Sequence, residues 1–464
     1  MWLAVFLAVY IYAARPVLPS GLTVSGWRVQ GLSYAKFEEQ LERRIEQLNL
    51  YKVRLADPGG RAAPAELTLG ELGLRVEAKP LLDAVHSLRQ GSLLKRAGQR
   101  WRLSHRELPL SVLFDRSAME QAVKQTWKTL YDEQPVDAQR IITPDDRIEL
   151  VPGKDAYRID LDRLAAGLST LATGPAWASQ GKEGPAELAL PLVAVPPAVT
   201  LDILKAQGIE RKLIEFSTSF PTRDEGRIHN IRATAQTIHD RLLKPGEIFD
   251  YGEVIRQTEE TFGFREAPVI VNGKIVPGIG GGICQVSTTL YNAVLRAGLE
   301  VVERRNHSLP VSYIALGQDA TFASGHINFK FRNNTESYLL IRTETDERRI
   351  TVKLFGNAPG NVTYDIESKI VETIPPPVKY VRNPALPIGG KQLILQGKPG
   401  YVVETYRITK QDGNVVAETK ISRDTYSPQP TVIATNTGKA GQADEAVPPR
   451  QQIVEDGVKG PVFP

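Results

Sequence analysis

The sequence predicts an α+β multidomain protein: two small α+β repeats, a larger α+β domain with a cysteine at a helix N-terminus, and a small all-β module near the C-terminus. Three observations lead there. Residues 67–113 and 150–195 are two related copies of one pattern. Residues 209–360 mix helical stripes of apolar residues with short alternating runs, and residues 361–438 are strand-like throughout, punctuated by glycine and proline. At 464 residues the chain is too long for one ordinary core, so several domains are expected. Hydrophobic residues at 42% and charged residues at 24% are those of a folded chain rather than a disordered one. With 57 basic against 53 acidic residues there is no concentrated positive field, so nucleic acid is not an expected partner; the small positive excess suits anionic wall polymers or membrane surfaces.

In chain order, residues 1–18 come first. Trp2 to Ala14 is an unbroken apolar and aromatic run before Arg15-Pro16, read as an export or anchor segment, with an uncleaved anchor preferred. Nothing basic precedes Trp2, so the expected true start lies upstream, and the run is shorter than the roughly 20 residues of a spanning helix. Residues 19–135 and 136–208 are the two repeats. Gly70, Arg75, Val76, Glu77 and Leu81 recur at a constant offset as Gly153, Arg158, Ile159, Asp160 and Leu164, and Leu108-Pro109-Leu110 is echoed by Leu190-Pro191-Leu192. Each copy reads as strand, amphipathic helix, strand.

The larger domain, residues 209–360, opens with an expected helical stripe at Ile231, Ala235, Ile238 and Leu242 that stops at Lys244-Pro245-Gly246. A hairpin over Ala267 to Val276, turning at Asn272-Gly273, leads into Gly278-Ile-Gly-Gly-Gly-Ile-Cys284-Gln-Val-Ser. Val286, Leu290, Ala293, Val294 and Ala297 then mark one face of a helix ending at Gly298, which puts Cys284 at its N-terminus. Residues 361–438 form the β module, and residues 439–464, rich in charge, proline and glycine, are expected to be a disordered tail.

Cys284 is the only cysteine, so no intramolecular disulfide explains it. Unsatisfied N–H groups and the positive dipole end of a helix favour a thiolate, which predicts a lowered pKa and a nucleophile. Backbone N–H groups around Gly281, Gly282 and Gln285 are candidates to hold a tetrahedral oxyanion. The loop lacks the Lys-Ser/Thr pair of a nucleotide-binding P-loop. A thiolate needs a base, and of the four histidines in this domain His229 and His239 read as solvated. His307, after the strand leaving the cysteine helix, is the chosen base, and His326 is its rival. Asp319, Asn306 and Asp250 are candidates to orient the imidazole, with Ser308 beside it as a supporting group. No metal or organic cofactor is implied.

At these residues the chain resembles the VanW family: Lys244-Pro-Gly-Glu247, Gly280-Gly-Gly-Ile-Cys-Gln-Val-Ser287, Leu290-Tyr-Asn292, His307-Ser308, Asp319-Ala-Thr321 and Phe329-Lys-Phe331. The family's cysteine falls on Cys284 and its His-Ser pair on His307-Ser308. The chain departs from the family around Ile255 to Glu260 and at His326. The repeats resemble peptidoglycan-binding repeats found ahead of some L,D-transpeptidase domains, and Gly397 to Tyr401 resembles the step of the G-five (G5) domain. These resemblances imply a membrane-tethered wall protein whose partners are peptidoglycan stem peptides and glycan. They imply a cysteine L,D-transpeptidase, a wall peptidase or amidase, or a non-catalytic wall adaptor in which Cys284 is a packed thiol.

Overall fold

The computed structural model describes residues 2–180, 185–220, 223–271, 274–437 and 453–459. They form two compact units: residues 1–139 with 152–200, and residues 140–151 with 201–464. The expected Asn272-Gly273 turn lies outside the described residues.

In the first unit both repeat copies fold as a helix enclosed by an antiparallel strand pair. Lys79–His86 sits between Leu74–Val76 and Val112–Phe114. Leu161–Thr173 sits between Ala156–Ile159 and Leu192–Val195, its first turn capped by Asp160, which accepts from Arg163 N. The copies do not have separate cores. Leu81 and Val85 of the first helix and Leu164 and Leu168 of the second belong to one buried cluster, and Ala186–Ala189 pairs in parallel with Lys52–Ala56. Units this small bury too little surface alone, which explains why the expected cut at residue 135 divides nothing. The N-terminal helix, Trp2–Ala14, has 13 residues, and its end docks through Ala13 O, which accepts from Arg96 Nη2 at 3.0 Å. Among the described residues no helix is long and apolar enough to cross a membrane.

Residues 140–151, expected within the second repeat, instead form part of the second unit. Asp146 there takes hydrogen bonds from Lys212 Nζ at 2.6 Å and Lys353 Nζ at 2.8 Å, and Ile142 and Ile148 pack against Ile209 and Phe355. The main sheet of this unit is antiparallel, in the order Arg211–Ser219, Arg349–Gly356, Leu339–Thr345, Arg241–Leu243. Helix Glu225–Ile238 ends four residues before the expected stripe does. Asp240 turns left-handed (φ 59°), and Leu242 enters a strand instead.

Helix Ile283–Arg296 is buried on every side from Ile283 to Leu295, not on the single apolar face that its pattern predicts. Ser287, Thr288 and Asn292 are buried because they bond the backbone of the segment running from Gln318 to Phe322. Ser287 Oγ donates to Ala320 O at 2.6 Å, Thr288 Oγ1 accepts from Ala320 N at 3.0 Å, and Asn292 Nδ2 donates to Gln318 O at 2.7 Å.

The β module is a three-stranded antiparallel sheet, Val362–Ile374, Gly400–Gln411 and Asn414–Tyr426, with a second sheet of Val378–Arg382, Thr431–Thr435 and Lys391–Leu395. Its first sheet packs on the larger domain. Thr405, Asp424 and Tyr426 are buried against the larger domain, with Thr405 Oγ1 donating to Gly317 O at 3.2 Å. The tail departs from expectation. Val454–Glu455 pairs antiparallel with the hairpin strand Glu266–Val271, because that strand's outer edge offers backbone groups that an extended segment satisfies. The rest of the expected tail, residues 439–452 and 460–464, lies outside the described residues.

Candidate active site

The hairpin strand Lys274–Ile279 delivers the chain to the glycine loop, and the loop is tight because only glycine fits it. A Cβ on Gly281 would lie 2.4 Å from Pro268 O, and Gly282, which caps the cysteine helix, has φ +107°. Asn230 clamps the loop by donating from Nδ2 to Gly281 O at 3.0 Å.

Cys284 is fully buried at the first turn of this helix. Phe322 N donates to its Sγ at 3.0 Å, and Thr321 Oγ1 stands at 3.5 Å. The expected lowering of the thiol pKa is reversed. Burial pushes the thiol up, the Asp456 carboxylate pushes it further, and His307 opposes both. The physical reason is in the backbone: Asp456 Oδ1 already accepts from Gly282 N at 3.1 Å and Cys284 N at 2.8 Å, so the positive helix end faces an anion from the tail.

His307 is buried and close enough to Cys284 for each to shift the other's titration. Its Nδ1 bonds Asp319 Oδ2 at 2.7 Å, and its backbone N donates to the same oxygen at 2.7 Å. Among the described residues its buried Nε2 has no nitrogen or oxygen partner, and the side chain it interacts with is Cys284. Burial alone would lower the imidazole pKa, but Asp319 and the negative charge of a Cys284 thiolate override it and raise the pKa, so the ring is the acceptor for the thiol proton. Asp319 is fixed in turn. Arg304 Nε donates to its carbonyl oxygen at 2.6 Å, and Tyr426 Oη donates to its Oδ1 at 2.5 Å. Arg304 is itself held by Asp424 through two bonds at 2.6 and 2.7 Å.

The structure thus brings Cys284, His307 and Asp319 together and leaves His326 apart, exposed in the turn from Ala323 to Ile327. Asp250 caps helix Tyr251–Phe262, and Asn306 Nδ2 bonds His307 O and Thr425 O, so neither orients the ring. His229 and His239 are half-buried and bonded to Gly263 O and Thr343 O rather than solvated. Ser308 bonds Glu455 through both N and Oγ. The Gln285 N–H is spent on Gly282 O, and its side chain is a strut between Arg227 and Ser219 O, whereas the N–H groups of Gly282 and Cys284 point at the Asp456 carboxylate.

Sequence reasoning did not find Arg304, Tyr313, Asp424, Tyr426, Asp456 or Arg227. For Asp424 and Tyr426 a signal exists: they lie two apart on one face of a strand, both buried. A groove of about 720 Å³ beside Glu303, Arg407 and Arg423 is lined by Arg304 but by neither Cys284 nor His307.

The family described as VanW like protein matches residues 226–355, which span Cys284, His307 and Asp319, and the G5 domain matches residues 366–438. The uncharacterized protein YoaR of Bacillus subtilis (strain 168) is 30% identical over 250 residues, 54% of this chain and 78% of that protein. The chain belongs to the VanW-like family. The vancomycin B-type resistance protein VanW of Enterococcus faecalis (strain ATCC 700802 / V583) is 28% identical over 155 residues, 32% of this VanW-like chain and 56% of that protein. Among solved structures, the IgA1 protease G5 domain is 26% identical, covering 16% of this chain and 89% of that one with a TM-score of 0.14. The HP0197-G5 crystal structure is 24% identical, covering 16% and 97% with a TM-score of 0.12. The VanW-like and G5 matches together mark a cell-wall-associated protein.

Two outcomes follow from the Asp319 network. The Asp319 carboxyl, which burial would raise, is held down to about 2 by His307 and Arg304. A carboxylate with a depressed folded-state pKa stabilises the fold above its unfolded pKa, and that stability disappears as pH falls from about 4 to about 2. Urea midpoints measured across that window are expected to lose about 2 kcal/mol more in the native chain than in Asp319→Asn. Tyr426→Phe is expected to cost about 1–2 kcal/mol by leaving Asp319 Oδ1 and Gly317 N short of a partner, measurable as a lowered urea midpoint at neutral pH.

Proposed function

We propose that this wall protein is an acyl transferase of the L,D-transpeptidase type, with Cys284 as nucleophile, His307 as base and Asp319 as the group that orients it. The observation that carries the reading is the buried line Cys284, His307, Asp319, in which the imidazole holds Asp319 through Nδ1 and interacts with the thiol on its other side. Cys284 gives its proton to His307 Nε2, and Sγ bonds the carbonyl carbon of an L,D peptide bond in a tetrapeptide stem. The carbonyl oxygen takes the negative charge between Gly282 N and Cys284 N. The C–N bond breaks as His307 returns the proton to the departing D-residue's amine. The amine of a neighbouring stem then attacks the thioester and loses a proton to His307; the C–S bond breaks, and the thiolate recovers that proton. Water in place of the amine makes the same centre a peptidase or amidase.

The repeats and the G5 match support glycan binding, and a wall substrate places the bulk of the chain outside the cytoplasm. The apolar stretch at residues 2–14 is proposed as the tether to the membrane surface, which a high-salt wash of membranes carrying a chain without it tests. The activity is tested by incubating the protein with defined muropeptides and reading the products by mass: a crosslinked dimer with loss of the terminal D-residue supports transfer, cleavage without dimer supports the hydrolase, and unchanged muropeptides overturn both. A second reading, the non-catalytic adaptor, is favoured by the full burial of the thiol.

A further inference from the structure

Residues 453–459 occupy the mouth of the candidate site as a bound peptide would. Val454 and Glu455 extend the hairpin sheet by pairing with Val271 and Ile270. Beyond them Val458 N donates to Ile279 O at 2.9 Å, and Ile279 N donates to Lys459 O at 2.8 Å. All these contacts are backbone to backbone and read no side chain. Two glycines of the loop make room for them: a Cβ on Gly278 would lie 2.8 Å from Lys459 O, and one on Gly280 3.1 Å from Val458 N.

The side chain at the centre of this segment is Asp456. One carboxylate oxygen takes the N–H groups of Gly282 and Cys284, and the other accepts from Arg227 Nη1 at 3.2 Å. Those N–H groups are the pair that an oxyanion on the substrate would need. Among the described residues two buried polar atoms near this point have no nitrogen or oxygen partner, His307 Nε2 and Tyr313 Oη, and both side chains feel the charge of Cys284. From Asp456 a cavity of about 470 Å³ continues between Arg227, Gln285, Ile275 and Tyr313.

We propose that the groove filled by residues 453–459 is the peptide-binding cleft of the Cys284 centre, taking an extended peptide with a carboxylate at the Asp456 position, and that the chain's own tail holds it closed. The assignment rests on Cys284 being the reactive group proposed above. Binding is by strand addition along Glu266–Val271, so it tolerates many sequences. Selectivity lies at three positions, the first being Glu455, whose carboxylate accepts from Ser308 N at 2.8 Å and Ser308 Oγ at 2.9 Å. The carboxylate at the Asp456 position is recognised by Arg227 and the helix end, and the next residue must be small, because a Cβ on Gly457 would lie 2.5 Å from Val269 Cγ1. A peptide carboxylate that displaces Asp456 takes the same two N–H groups, so such a peptide shields the thiol as the tail does and is a ligand of the cleft rather than a substrate of the thiol.

The test is alkylation of Cys284 by iodoacetamide in the full chain. The native protein is expected to react slowly, and Asp456→Asn to react about tenfold faster or more, since the variant loses both the plug and the anion that holds the thiol protonated. The synthetic peptide Ile-Val-Glu-Asp-Gly-Val-Lys, residues 453–459 of this chain, is expected to restore protection saturably, and the same peptide with Asn for Asp is not. The proposal is overturned if Asp456→Asn alkylates at the native rate. It is equally overturned if the variant reacts as fast as the denatured chain with no protection by the peptide, or if acetate alone protects as well as the peptide. Because alkylation needs no turnover, saturable protection without any product on muropeptides would leave the cleft standing and remove the transferase.

Discussion

Cys284→Ala is expected to abolish product formation on muropeptides that the native chain crosslinks, with the protein still folded. The thiol supplies the atom that forms the acyl bond, and Ser287, one turn on, is no substitute because its hydroxyl is bonded to Cys284 O and Ala320 O. The stability cost is small by comparison. Removing one buried sulfur leaves Phe322 N without its acceptor and opens a small cavity, together about 1–2 kcal/mol. Mass analysis of products beside a urea titration separates the two effects. Wild-type product yield from Cys284→Ala would end the catalytic reading, whereas a thiol silent to alkylation until denaturation in every variant would favour the adaptor.

The second large effect is expected at the base. His307→Ala should lower turnover by about four orders of magnitude, since without Nε2 nothing in the buried line takes the thiol proton or returns it to the leaving amine. It also leaves Asp319 with the backbone N–H of residue 307, Arg304 and Tyr426 as its remaining partners, a loss of about 2–3 kcal/mol, so rates must be referred to folded protein. Alkylation of Cys284 is expected to slow further in this variant, because His307 is the group that opposes burial and Asp456 at the thiol. His326→Ala should leave turnover unchanged, as its side chain is exposed. A His326→Ala variant as crippled as His307→Ala would overturn the assignment of the base.

How much of this was legible in the residues follows from distance along the chain. The glycine loop, the lone cysteine and the apolar positions after it are consecutive, so local rules about helix starts and tight turns place Cys284 without any tertiary information. His307 and Asp319 are 12 residues apart and follow the cysteine helix closely, which is why both could be nominated and His307 preferred to His326, although choosing Asp319 over Asp250 and Asn306 needed its burial and partners. The repeats were visible as a pattern, but the pattern carries no sign that both copies share one core.

The sequence by itself therefore determined the α+β class, the helix that presents the thiol, and the set of groups from which a nucleophile and base are drawn. Only the tertiary structure decided what surrounds them. Tyr426 reaches Asp319 across 107 residues and Asp456 reaches Cys284 across 172, contacts that no periodicity encodes because each partner satisfies ordinary local rules for a strand or a tail. That is also why the thiol pKa was predicted with the wrong sign. A helix N-terminus favours a thiolate only while its N–H groups face the sulfur alone, and here folding brings in a carboxylate that takes them first.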